Sequence, residues 1–229
     1  MGKSVRPHPP DSTLPPQPPP TRSTIQQLHP DRTPESPADN KLDIPKGTKI
    51  GFFEIRERIA PESGQNNIFV VRDSSTNKDL AMKVEHKGLK PSAIQLELWV
   101  LLTMRKKTDN SNFCKVLARG SWQQYEFMIL TLCGKSIRNL LKNAPGHKFS
   151  LGCALSVAAQ CLRALMHLHK VGFIHRDVQP ANFAIGKGDS KQLRTVYVLD
   201  FYYIHQFRHQ DGRLKTERPK PTPLAGAPR

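Results

Sequence analysis

The chain has 229 residues, 37% of them apolar, and carries 35 Lys and Arg against 19 Asp and Glu, a net charge of +16 at pH 7. That apolar share allows a packed core and excludes a wholly disordered chain. The four cysteines, Cys114, Cys133, Cys153 and Cys161, form no CxxC pair, which argues against a zinc module and fits the reduced thiols of an intracellular protein, cytoplasmic or nuclear.

Residues 1–45 hold 12 of the 20 prolines, in runs such as LPPQPPPT. So few large apolar side chains cannot offset the entropy of ordering, and a disordered, partly polyproline tail is expected. Its PxxP-like frames suit an SH3-type or WW-type partner. The tail's five basic and five acidic residues cancel, so the basic excess lies in residues 46–229, with 30 basic residues against 14 acidic ones. The start, MGKSVR, has Arg6 where a myristoylation signal needs Ser or Thr, and no signal peptide or window of about 18 apolar residues is found. No membrane association is expected.

Residues 46–134 read as a first folded unit. GFFEIRERIA, NNIFVVRD and KDLAMKVEH alternate apolar and polar positions, and SSTNKD joins the last two, a pattern of antiparallel strands. LKPSAIQLELWVLLTMRKK follows as a helix with Ile94, Leu98, Leu101 and Leu102 on one face, and FCKVLARGSW and YEFMILTLC supply two more strands.

Residues 135–229 read as a second, helical unit. KSIRNLLKNA makes a short amphipathic helix, and LGCALSVAAQCLRALMHLHKVG a long one with Leu151, Leu155, Ala158, Leu162 and Leu165 as its apolar stripe and Gly172 as its stop. The loop GFIHRDVQPANFAIG comes next, then a hairpin through NFAIGKGDSKQLRTVYVLDF, and from about Gln206 a polar, basic and proline-rich stretch without a packed element.

Five side chains carry chemistry as a set. Lys83 lies on the third strand-like run, Glu97 lies 14 residues on in the helix, HRDVQPAN holds Asp177 and Asn182, and VLDFYY holds Asp200 between a strand and a loop. Singly, each has a bland reading: a strand lysine, a solvated helix glutamate, a loop with Asx turns. In this order they suit phosphoryl transfer, which needs phosphates held, metal charge placed and an acceptor hydroxyl aligned.

AMKVE, QLE, VGFIHRDVQPANFAIG and YVLDFYYIHQF resemble the eukaryotic protein kinases, in the wording of the casein kinase I group and its tau-tubulin kinase-like branch, across residues 48–226. The resemblance implies an α+β, bilobal protein-kinase-like fold with an antiparallel-sheet N-lobe and a helical C-lobe, and serine/threonine phosphorylation with ATP and Mg2+. It implies that Lys83 grips the α and β phosphates, Glu97 fixes Lys83, Asp177 takes the acceptor's proton, and Asn182 and Asp200 hold the metal. His175 is then a packing residue, and Arg176 pairs with an acidic or phosphorylated group. The basic surface suits acidic or pre-phosphorylated protein substrates, and nucleic acid is not an expected partner, for want of zinc spacing, an RNA-binding aromatic signature or a basic zipper.

Four departures bear on activity. The phosphate-covering loop reads IAPESGQNNIF, with Gly64 its only glycine, so a weak grip on nucleotide is expected. Gln179 stands where a lysine is usual two residues after the catalytic aspartate, removing a charge that helps the transferring phosphoryl group. Tyr202 stands at the glycine of DFG, where backbone freedom is expected to be lost. After RPKPTPLAGAPR no APE string or further helices appear, so an incomplete C-lobe is expected. A catalytically impaired scaffold and a truncated gene product are the alternative readings.

Overall fold

The computed structural model describes residues 42–59, 67–89, 92–108, 111–188, 190–209 and 212–215. The proline-rich run up to Lys41, the loop with Gly64 and the basic stretch after Lys215 lie outside the described residues.

Strands β1 (Lys49–Ile50), β2 (Phe53–Ile59), β3 (Asn67–Asp73) and β4 (Lys78–His86) run in chain order. Helix α1 (Ala93–Lys107) precedes β5 (Val116–Trp122) and β6 (Tyr125–Leu130). These strands form one antiparallel sheet in the order β1-β2-β3-β4-β6-β5. The period of two sorts the side chains between two cores. Phe69, Val71, Met82 and Val84 enter a cluster with Leu42, Ile44 and Ile50, whereas Val70 and Ala81 face the cluster that holds α1. Both faces of the central strands are therefore covered.

Leu42 and Ile44, which composition assigns to the tail, are buried in the first of these clusters. Arg58 fastens this segment, donating to the Leu42 carbonyl (2.7 Å) and to Asn67 Oδ1 (2.6 Å), which also accepts from Leu42 N (2.9 Å).

Helix α1 starts where the Ser92 hydroxyl accepts from Gln95 N (2.9 Å), and its last turn carries Arg105, Lys106 and Lys107, the charge that suits a helix C-terminus. It buries Ile94, Leu98 and Leu101 as the periodicity requires, with Leu96, Val100 and Met104 added. Leu102, expected on that face, is 42% exposed. The helix is apolar on more than one side, and its buried arc centres on Leu101 and Met104 rather than one position further.

The second unit contains β7 (Cys133–Ser136), α2 (Ile137–Lys142), α3 (Leu151–Val171), β8 (Phe173–Ile174), β9 (Phe183–Gly186), α4 (Ser190–Leu193), β10 (Val196–Val198) and β11 (His205–Gln206). Strands β10, β9 and β7 make a small antiparallel sheet, and β11 pairs with β8. The pairing of β11 gives a packed place to residues expected to have none, and short strands such as β8 and β11 carry too few residues to show a period.

Helix α3 buries Ala164 and Leu168, with Val157, Cys161, Leu165 and Val171 packed against the same core. The stripe expected to be buried is displaced: Leu151, Leu155 and Leu162 are 76%, 61% and 70% exposed, and Ala158 is exposed too. A helix apolar nearly all round has no unique face, so its neighbours choose one. Here the choice is pinned by Gln160, which donates to the Arg194 carbonyl (3.0 Å) and accepts from Val196 N (2.9 Å) at the start of β10. By length and composition this helix is also apolar enough to cross a membrane, a window the sequence reading missed. Its buried end packs on β8, β10 and α1.

Candidate active site

Lys83 shares the α1-facing side of β4 with Ala81 and Glu85, because alternate residues of a strand point the same way. Its Nζ donates to Glu97 Oε2, and both side chains are buried. Burial alone would pull the Lys83 amine down; the carboxylates of Glu97 and Asp200 outweigh it and raise the amine above its ordinary value. Burial pushes the Glu97 carboxyl up, against the pull of Lys83. Lost hydration disfavours charge on both groups: it prevails at Glu97, whereas at Lys83 a second carboxylate, Asp200, helps to outweigh it.

The HRDVQPAN loop is anchored through His175 and Leu199. His175, 1% exposed, donates from Nε2 to the Leu199 carbonyl (3.1 Å) and accepts at Nδ1 from Asp177 N (3.3 Å). One ring nitrogen donates and the other accepts, which is the neutral tautomer, and burial holds the imidazole below its usual range. Leu199 N in turn donates to the Asn182 carbonyl (2.9 Å). Two bonds through Leu199 thus tie the loop of Asp177 and Asn182 to the residue that precedes Asp200.

Within the loop, Asn182 Nδ2 donates to the Asp177 carbonyl (2.9 Å) and to Asp177 Oδ2 (2.7 Å). With its nitrogen committed, the amide oxygen of Asn182 is left as a ligand end. Asp200 has φ 59, and its Oδ1 accepts from Tyr202 N (3.2 Å). Aspartate tolerates that left-handed region better than most residues.

A model of the protein kinase domain matches residues 63–218, well over half of the chain. The chain belongs to the protein kinase family. It is 35% identical over 150 residues to the serine/threonine-protein kinase spe-6 of Caenorhabditis elegans, covering 65% of this chain and 38% of that protein. It is 31% identical over 160 residues to a putative casein kinase I of the same organism, covering 68% and 46%. The chain thus spans less than half the length of these curated relatives. Its fold matches that of vaccinia related kinase 3 with a TM-score of 0.64 at 18% identity, over 90% of this chain and 63% of that one. The architecture is the bilobal protein kinase fold, with its antiparallel sheet in the N-lobe.

In this chain four of the expected site residues with described positions, Lys83, Glu97, Asp177 and Asn182, are buried, and Asp200 is half-buried. Gly64 lies outside the described residues. Among the described residues no three His, Cys, Asp or Glu side chains form a metal site. Magnesium suits the remaining donors nonetheless, because it takes one or two protein oxygens and completes its shell with water and substrate phosphates. The Asn182 amide oxygen and the Asp200 carboxylate fit that role.

The departures acquire concrete shapes. Tyr202 has no positive φ; the left-handed residue is Asp200. The glycine's freedom is therefore not used here, and Tyr202 packs edge-on against Tyr203, with ring centroids 5.1 Å apart. Arg176, at φ 66, donates from Nε to the Tyr203 carbonyl and so ties the HRDVQPAN loop to the segment after Asp200.

Sequence reasoning passed over Glu85 and Arg138, and it read Cys114 and Cys133 as reduced thiols without foreseeing that they lie 3.5 Å apart. A second glutamate in LAMKVEH, two residues after Lys83 and hence on the same strand face, was the available signal for Glu85. A cavity of about 710 Å3 lies elsewhere, lined in part by Lys107, Arg163, His167 and Lys170. Lys107 and Lys170 sit in the last turns of α1 and α3, where cations complement helix carbonyls, and none of the five chemical residues lines it.

Proposed function

We propose that this kinase is a serine/threonine protein kinase of the casein kinase I group, tau-tubulin kinase-like branch, that binds ATP with Mg2+ between its lobes and transfers the γ-phosphate to a protein hydroxyl. The observation that carries the reading is the buried ion pair of Lys83 with Glu97, from distant segments, with the Asp200 carboxylate adding to the charge that favours the ammonium. Lys83, held by Glu97, grips the α and β phosphates. The Asp177 carboxylate orients the acceptor hydroxyl and takes its proton as the new oxygen–phosphorus bond forms and the bond from the γ-phosphorus to the β-phosphate oxygen breaks. Asn182 and Asp200 hold the metal, which when bound neutralises charge on the phosphates. The name of the spe-6 relative supports Ser/Thr specificity, and that of the other relative supports the casein kinase I group.

The reading extends to residues 46–134 as N-lobe, residues 135–229 as part of the C-lobe, and the tail as a spacer with SH3-type or WW-type binding frames in an intracellular protein. The basic excess suits acidic or pre-phosphorylated substrates. Gln179 on Asp177, bringing no charge, favours a second reading as a binding scaffold. Purified chain assayed for magnesium-dependent ATP binding and for transfer to casein separates the two. Transfer abolished by Asp177→Asn supports the enzyme, and binding without transfer supports the scaffold.

A further inference from the structure

Gln179 does more than replace a charged residue with a neutral one. Its backbone is extended (φ −144, ψ 155) at the start of the 3-10 turn Pro180–Asn182, and its side chain does not cap that turn. Instead Nε2 donates to both carboxylate oxygens of Asp177, at 2.9 Å and 3.1 Å. The other end of the amide, Oε1, accepts from Arg138 Nη2 at 2.6 Å, from a helix 41 residues away.

The chemistry of the partners fixes the direction of this chain. A carboxylate only accepts and a guanidinium only donates, so the amide nitrogen must face Asp177 and the amide oxygen must face Arg138. A lysine at 179 could not take this place: it has no acceptor for Arg138, and its ammonium would stand against a second cation. Arg138 is thus matched to glutamine in particular. A cation on the amide oxygen polarises the group and strengthens its N–H donors.

We propose that Arg138 is a positioning residue acting through Gln179: the two form a relay that brings cationic character to Asp177 without placing a cation beside it. The inference rests on the reading of Asp177 as the carboxylate that orients the acceptor. With Oδ2 shared between Gln179 and Asn182 (2.7 Å), Oδ1 carries only the Gln179 bond among the described residues and is the oxygen presented to the hydroxyl.

Two measurements on the full chain test this. In steady-state transfer from ATP to casein, Arg138→Ala should lower kcat about 2- to 10-fold, the range of one charge-assisted contact in a partly exposed place, with KM for ATP unchanged. Gln179→Lys should remove the dependence, so that adding Arg138→Ala to Gln179→Lys lowers kcat no further. An equal loss in both backgrounds, or no loss in either, overturns the relay. The second measurement needs no turnover: the side-chain NH2 signals of Gln179 in 15N NMR should shift, and their protons exchange faster, in Arg138→Ala. Unmoved signals overturn the relay. Signals that move in a chain transferring no phosphate keep the relay and sink the catalytic reading of Asp177.

Discussion

Glu85 holds Ser92: the glutamate Oε1 accepts the serine hydroxyl, and Oε2 accepts from Ala93 N (3.0 Å) and Ile94 N (3.3 Å). The first N–H groups of a helix lack intrahelical partners, and here a carboxylate from β4 satisfies them where the helix dipole favours negative charge. The strand that carries Lys83 is thereby fastened to the start of the helix that carries Glu97. Glu85→Ala should cost about 1–3 kcal/mol, the penalty for stranding buried donors, and should weaken ATP binding by loosening the Lys83 pair. Chemical denaturation with and without ATP checks it; a variant as stable as the parent would show that the anchor bears no weight.

Removing one member of the Lys83–Glu97 pair strands the other in a buried place. Lys83→Met should destabilise the chain by about 3–5 kcal/mol, whereas Lys83→Met with Glu97→Leu should recover most of that loss. Both variants should lose ATP affinity. Urea midpoints compared across the three chains decide this, and equal midpoints for the single and double variants would contradict the buried pairing.

His175 gives stability a pH dependence whose sign follows from its environment. Its folded pKa lies below the unfolded value, so above about pH 6.5 both states are neutral and the contribution is intact. As pH falls through the unfolded value, the unfolded chain binds a proton that the folded chain refuses, and stability is lost. Stability at pH 7.5 should therefore exceed that at pH 5.5, and the difference should shrink in His175→Gln. An undiminished difference in that variant would assign the effect to other groups.

Gly172 ends α3 at φ 100, and its carbonyl accepts from Phe207 N (2.9 Å). A Cβ there would stand 2.9 Å from Arg208 Cβ. Gly172→Ala combines that clash with a left-handed backbone costing about 1–2 kcal/mol, so its melting temperature should fall and the segment around β11 should become more sensitive to protease. An unchanged melting curve would mean that the return of the chain past Gly172 is not held as described.

Much of the fold was legible along the chain. Alternating runs pointed to β2, β3 and β4, Gly172 was legible as the stop of α3, and the strings around Lys83, Glu97, Asp177, Asn182 and Asp200 carried the resemblance to the family. The buried face of α3 was not legible, because Leu151, Leu155 and Leu162 are as apolar as the side chains chosen instead. Nor was the fate of Tyr202, since no string of letters says which residue of a loop carries the positive φ.

The sequence by itself determined the chemistry available: an amine, three carboxylates and an amide in an order suited to phosphoryl transfer, with a glutamine where a charge is usual. Tertiary structure alone decided how these groups are wired. Arg138 meets Gln179 and Glu85 meets Ser92 because strand alternation and helix docking bring them within hydrogen-bond reach. Separation along the chain carries no record of such meetings, since a hydrogen bond depends on distance and direction in space.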